Sequence, residues 1–172
     1  WNTASIKLPK VEIIQFRRTG KGCLSYMILS AGKAMVVDPS LDLSVYEEFL
    51  LQHKAELLFV AETHIHADHI SRAKQLAEKN NAQLFLPAPN KVSFSFEPIS
   101  STTAFQLGAV TINVIQTPGH TNESISLLVD DKLVLTGDTL FTNGIGRPDL
   151  KSTEAETLQK AKSLYHSLQK LL

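Results

Sequence analysis

The stretch AETHIHADHI, residues 61–70, carries His64-x-His66-x-Asp68-His69 directly after an apolar run, so half of the chain's six histidines fall within six consecutive positions. Imidazole nitrogens and carboxylate oxygens are the donors that borderline and hard divalent cations take, and an ion offsets the electrostatic cost of crowding such groups together. A histidine-rich surface turn is the plain alternative, natural for one such residue and poor for this cluster. Two further segments follow apolar runs in the same way: TPGH (117–120), which ends on His120, and TGDT (136–139), which holds Asp138. Each alone reads as an ordinary turn. Together with 64–69 they supply four histidines and two aspartates, enough for one or two metal ions. His53 and His166 lie within amphipathic helical patterns away from these turns and receive no role.

The donors need strands that end side by side. Segments 11–18, 23–30 and 33–38 are rich in β-branched and aromatic residues and are separated by Gly20, Gly22 and Gly32, which predicts sequential antiparallel strands. Helical spacing follows at 43–54, a short buried strand at 55–62, and a helical pattern at 68–80 with Ile70, Ala73, Leu76 and Ala77 on one face. Strands are expected at 82–86, 110–116, 124–130 and 132–138, with Asp130-Asp131 as a tight turn and 87–104, which contains Pro87, Pro89 and Pro98, as a surface loop. The ending 157–172 reads as an amphipathic helix with Leu158, Ala161, Leu164, Leu168 and Leu171 on its apolar face. The class is mixed α/β, with two layers of strands between helices, and every donor falls just past a strand end.

Composition narrows the function classes. At 172 residues and 43% hydrophobic, the chain is expected to form one domain spanning 1–172. Seventeen basic residues balance seventeen acidic ones without a like-charged block, which argues against nucleic acid or a membrane surface as partner and for a small molecule. No apolar stretch approaches a membrane span. A lone Cys23 excludes an internal disulfide and suits a reducing cytoplasm; its place in an expected strand predicts a buried apolar role. Tyr26 is expected in the core, and Asp38 in VVDPS is expected to stabilise a turn near the site.

The three motifs, His64-x-His66-x-Asp68-His69, TPGHT (117–121) and GDTLF (137–141), occur in one order and resemble the metallo-β-lactamase superfamily over nearly the whole chain. The resemblance implies an αββα sandwich with the metal site at one edge between the sheets. Six of the family's seven ligand positions are present. The seventh, a later histidine, is absent, so the chain is expected to be truncated at its C-terminus. GIGRPDL (144–150) and LYHSLQKLL (164–172) resemble the persulfide dioxygenase branch, the relatives of the ethylmalonic encephalopathy protein, more than the glyoxalase II thioesterases. The segment RTGKGCLSYMI (18–28) is similar to bacterial members fused to a rhodanese domain, which implies such a domain upstream, with Trp1 as its remnant.

That branch implies one Fe(II) held by His64, His120 and Asp138, with a thiol persulfide such as glutathione persulfide oxidised by dioxygen to sulfite and free thiol. Asp68 and His69 would then serve catalysis, and His66, Asp68 and His69 would orient the ligands by hydrogen bonds. Arg147 and Asp149 are candidates for contact with substrate, or for a structural ion pair of the loop. A zinc-dependent, glyoxalase II-like thioester hydrolase stays open, with His64, His66 and His120 on one zinc, Asp68 and His69 on a second, and Asp138 between them. So does an inactive or regulatory metal-binding domain.

Overall fold

The computed structural model describes residues 1–20, 22–87, 92–150 and 152–172. Lys21 of the RTGKGCLSYMI segment, and residues 88–91 of the expected surface loop with Pro89, lie outside the described residues.

Apolar residues on both faces of successive strands build a sheet that must be covered on both sides. Strands β1 (Asn2–Leu8), β2 (Val11–Arg17), β3 (Leu24–Ser30) and β4 (Lys33–Val37) pair in sequence as an antiparallel meander. Within β4, Met35 and Val37 face one apolar cluster, Ala34 and Val36 face another, and all four are buried. After helix α1 (Leu43–Gln52), strand β5 (Glu56–Ala61) joins β4 in parallel. Helix α2 (Ala73–Asn80) leads to β6 (Gln83–Leu86), parallel to β5, and β7 (Glu97–Pro98) closes the seven-stranded sheet in sequence order.

Strands β8 (Ala104–Leu107), β9 (Val110–Gln116), β10 (Ile125–Val129) and β11 (Leu133–Leu135) form a second, antiparallel sheet. A small hairpin of β12 (Leu140–Phe141) and β13 (Gly144–Ile145) precedes helix α3 (Glu154–Leu171). Ile28, Met35 and Val37 of the first sheet meet Phe105, Leu107, Ile112 and Leu127 of the second. On the first sheet's other face, Phe16, Met27 and Val36 pack against Tyr46 and Leu50 of α1 and Leu76 of α2. Helix α3 lies against the turn after β9, where Leu164 is buried and Ser167 Oγ donates to the Pro118 carbonyl at 2.7 Å. This is the αββα arrangement. No helix among the described residues is long and apolar enough to cross a membrane.

Several expectations are corrected. Strand β1 was unread because it is an edge strand exposed along nearly its whole length, without the alternation that burial imposes. Helix α2 starts at Ala73 rather than at residue 68: Ser71 Oγ accepts the Ala73 N–H at 2.9 Å, and the Arg72 N–H donates to the Pro39 carbonyl at 2.9 Å, so 68–72 belong to the turn. The expected 87–104 loop contains β7 and meets β8 at Ala104. Cys23 precedes β3, half-buried, rather than lying inside it. Tyr26 is half-buried at the edge of the inter-sheet core. On α3 the buried residues are Leu164 and Ser167, whereas Leu158 is 58% exposed. The Asp130-Asp131 turn is present, both residues having the positive φ that a two-residue hairpin of this hand demands.

Candidate metal centre

The donor-bearing turns come together because the strands before them end at one edge. Strand β5 delivers Thr63 and His64, β9 delivers Thr117 and His120, and β11 delivers Asp138. The turns are stitched to one another. Ile125 N–H donates to the Thr63 carbonyl at 2.9 Å, tying the end of β5 to the start of β10 across the two sheets. Thr139 Oγ1 donates to Thr117 Oγ1 at 3.1 Å, and Thr117 shares a 3.0 Å bond with Ser126; all three residues are fully buried. Gly119 is required where it stands. Its φ is +148°, and a Cβ there would sit 2.4 Å from the Leu164 Cβ and 2.5 Å from its Cα. The main chain of α3 presses directly on the turn that carries His120.

His64, His120 and Asp138 each offer one donor atom, all within 4.8 Å of one another. Asp138 Oδ2 lies 3.5 Å from His120 Nε2 and 3.9 Å from His64 Nε2, and the two imidazoles are perpendicular. Donors about 2.1 Å from a shared ion stand roughly 3.0–3.4 Å apart at octahedral to tetrahedral angles, so the observed spacing fits one ion with small side-chain adjustments. Both histidines are anchored through their other nitrogen. His120 Nδ1 lies 3.0 Å from the Arg147 carbonyl, which accepts its N–H. Thr63 Oγ1 donates to Asp38 Oδ2 at 2.7 Å, which leaves it to accept the His64 Nδ1–H at 3.0 Å. In each case the free lone pair belongs to Nε2, the atom turned toward Asp138.

His66 is held differently. Its Nε2 lies 3.2 Å from Asp38 Oδ1 and 2.7 Å from Glu62 Oε2, between two buried carboxyl groups. Burial opposes charge on His66, but the Asp38 charge and the bonds to Asp38 and Glu62 outweigh it and push its pKa up to about 11. Burial raises Glu62 to about 7 against the bond from His66, whereas for Asp38 the pull of His66 and His64 and the Thr63 N–H overcome burial and hold it below the carboxylate range. Burial and the neighbouring His66 charge depress His64 to about 4, consistent with a neutral imidazole. His69 Nδ1 lies 3.0 Å from Asp68 Oδ1 and 4.0 Å from Cys23 Sγ, while its Nε2 is buried without a hydrogen-bond partner. Cys23, Asp68 and His69 form a second group of potential ligands, and Asp38, Glu62 and His66 a third.

A cavity of about 790 Å³ opens over the triad, with Phe141, Ile145 and Leu150 on one wall and Asp68 and Arg147 among its other lining residues. His69 does not line it and borders a separate cavity of about 530 Å³ with Arg18 and Arg72. Arg147 and Asp149 form a bidentate pair, Nε to Oδ1 at 2.8 Å and Nη2 to Oδ2 at 2.7 Å, both side chains exposed. Residue-type reasoning gave Thr63, Glu62 and the Arg147 carbonyl no role. For Glu62 a signal existed, a carboxylate closing an apolar strand; for a main-chain carbonyl there was none.

The family profile described as the metallo-beta-lactamase superfamily matches residues 18–172. The hydroxyacylglutathione hydrolase of Francisella tularensis subsp. novicida is 30% identical over 85% of this chain and 56% of its own length. The probable polyketide biosynthesis zinc-dependent hydrolase PksB of Bacillus subtilis is 31% identical over 90% of this chain and 73% of its own. Among solved structures, ETHE1 from Myxococcus xanthus superposes with a TM-score of 0.78 at 29% identity, over 92% of this chain and 68% of that one. The chain spans about half the length of the hydroxyacylglutathione hydrolases it matches.

Proposed function

The chain belongs to the metallo-β-lactamase superfamily, and from that premise we propose that it is a mononuclear iron-dependent persulfide dioxygenase, converting a small thiol persulfide, dioxygen and water to sulfite and free thiol. One observation carries the reading: two imidazole Nε2 atoms and one carboxylate oxygen converge, while His66 Nε2 is held by Asp38 and Glu62, and His69 Nδ1 by Asp68. Two histidines and one carboxylate around an open coordination face are the ligand set of non-haem Fe(II) oxygenases. When bound, iron would supply the electron transfer that lets triplet dioxygen react with a sulfur nucleophile. The likeness to ETHE1 supports this branch.

The chain's own residues do the rest. Thr63 and the Arg147 carbonyl fix the tautomers of His64 and His120, so that both lone pairs point at one place before a metal arrives. Phe141, Ile145 and Leu150 give the cavity exposed apolar surface against which the carrier of the persulfide would lie. Asp68, exposed and on the cavity, is the carboxylate placed to exchange a proton with the substrate, with His69 Nδ1 holding it at 3.0 Å.

A second reading, a zinc thioester hydrolase, draws on two observations: the hydrolase relatives, and the buried, unpartnered Nε2 of His69, a donor that a second ion would use. Anaerobic purification, metal counting and oxygen uptake with glutathione persulfide separate the two. One iron per chain with sulfite release is expected, lost in His64→Ala, His120→Ala and Asp138→Ala but with iron retained in His69→Ala. Two zinc ions with thioester hydrolysis and no oxygen uptake would overturn it.

A further inference from the structure

The cavity over the triad is lined by charges of both signs. Its carboxylates, Asp68, Glu123 and Asp138, sit on the turns after β5, β9 and β11, whereas its cations, Arg147 and Lys160, come from the loop after β13 and from α3. Arg147 is neutralised by its bidentate pair with Asp149. Lys160 is not. Its Nζ donates to Ser152 Oγ at 2.7 Å and to the Leu150 carbonyl at 3.4 Å, both uncharged acceptors, and no carboxylate among the described residues forms an ion pair with it. Asp149 and Glu156, the two carboxylates that feel its charge, are bonded to Arg147 and to the Thr153 cap. An ammonium carries three protons, so one is left for an occupant of the cavity.

The fold holds that charge in place. Leu164, one helical turn further along α3, packs on Gly119 in the turn that carries His120, so Lys160 stands about 6 Å along the helix axis from that contact. Phe141, Ile145 and Leu150 give apolar surface in the same cavity. Resting on the dioxygenase reading, we infer that Lys160 is a specificity-determining residue of this site, binding a carboxylate of the thiol carrier and so selecting an acidic carrier of the glutathione class over an uncharged one. The ammonium has no ion pair to break when a carboxylate arrives, and the new bond is charge-assisted on both sides. An uncharged carrier leaves it with its two neutral acceptors.

The probes are glutathione persulfide and the persulfide of glutathione diethyl ester, which keeps the thiol and peptide but carries no carboxylate. In the iron-loaded enzyme, Lys160→Met should raise KM for glutathione persulfide about three- to tenfold with kcat unchanged, and Lys160→Arg should recover most of the loss. KM for the ester should be the same in the unmodified chain and in Lys160→Met. An unchanged KM for glutathione persulfide in Lys160→Met would overturn the inference, as would an equal rise for the ester, which would mark the lysine as a brace between α3 and residues 150–152. Either result leaves the dioxygenase reading standing. If the unmodified iron-loaded chain consumes no oxygen with glutathione persulfide, that reading falls, and calorimetric titration with S-methylglutathione decides the inference without turnover: binding weakened in Lys160→Met supports it, and equal binding or none to the unmodified chain overturns it.

Discussion

Replacing Thr63 by valine keeps its shape and removes one hydroxyl, and that hydroxyl is the joint between the Asp38 carboxylate and the His64 ring. The lost bond to a buried carboxylate contributes about 1.5–3 kcal/mol, and a buried His64 Nδ1–H without an acceptor costs about 1–3 kcal/mol. Asp38 keeps two other partners, the Thr63 N–H at 2.7 Å and His66 Nε2 at 3.2 Å, so the damage falls mainly on His64. A net loss of about 2.5–6 kcal/mol follows, which for a chain of this size lowers Tm by roughly 5–24 °C. The larger consequence is directional. Without the hydroxyl, the His64 ring is free to turn its Nε2 away from Asp138, and loss of such an orienting partner weakens metal binding about 10- to 100-fold. Titration of the apoprotein with Fe(II) or Co(II) reads the affinity, and Thr63→Ser, which restores the hydroxyl, should recover most of it. A Thr63→Val protein that binds metal as tightly as the unmodified chain would refute the argument that this hydroxyl orients the ligand.

Gly119→Ala should cost about 1–3 kcal/mol from overpacking against Leu164 and a similar amount from backbone strain, with metal binding weakened through His120. Gly144→Ala, where an added Cβ meets nothing within 4 Å, is the control, and urea melts of both compare them. Thr153→Ala removes the capping box of α3 and should cost about 0.5–2 kcal/mol in a thermal melt without changing metal stoichiometry. Chelation of the bound ion should leave the far-ultraviolet circular dichroism unchanged, because both apolar clusters form without the ligand residues, and should lower stability by the binding contribution alone, about 2.7 kcal/mol at a hundred times Kd, read as a fall in Tm.

The motifs carry most of what positions the donors, since strand–turn–donor units are local and each can be read from a few residues. His64, His120 and Asp138 were legible only as a combination, since TPGH and TGDT each alone read as an ordinary turn, and the structure brings their donor atoms within 4.8 Å of one another. Long-range partners were not. Asp38 reads as a turn residue, and only the pairing of β4 with β5 brings its carboxylate to Thr63, twenty-five positions on. The separation of His69 from the main cavity also lay beyond reach, because consecutive residues on a tight turn can face either side and spacing alone does not decide which. Strand β1 left no trace in the pattern for the opposite reason: exposure removes the selection for alternation on which sequence reading depends.

The acceptor that orients His120 is the carbonyl of residue 147, while the side chain of the same residue, on the lining of the cavity over the triad, pairs with Asp149. Every amino acid carries that carbonyl. Side-chain identity at 147 is thereby uncoupled from the setting of the metal ligand, and the same holds for the Asp149 that pairs with it. An evolving lineage, or an engineer building a library at these two positions, can alter the rim while the His120 ring beneath it stays in register.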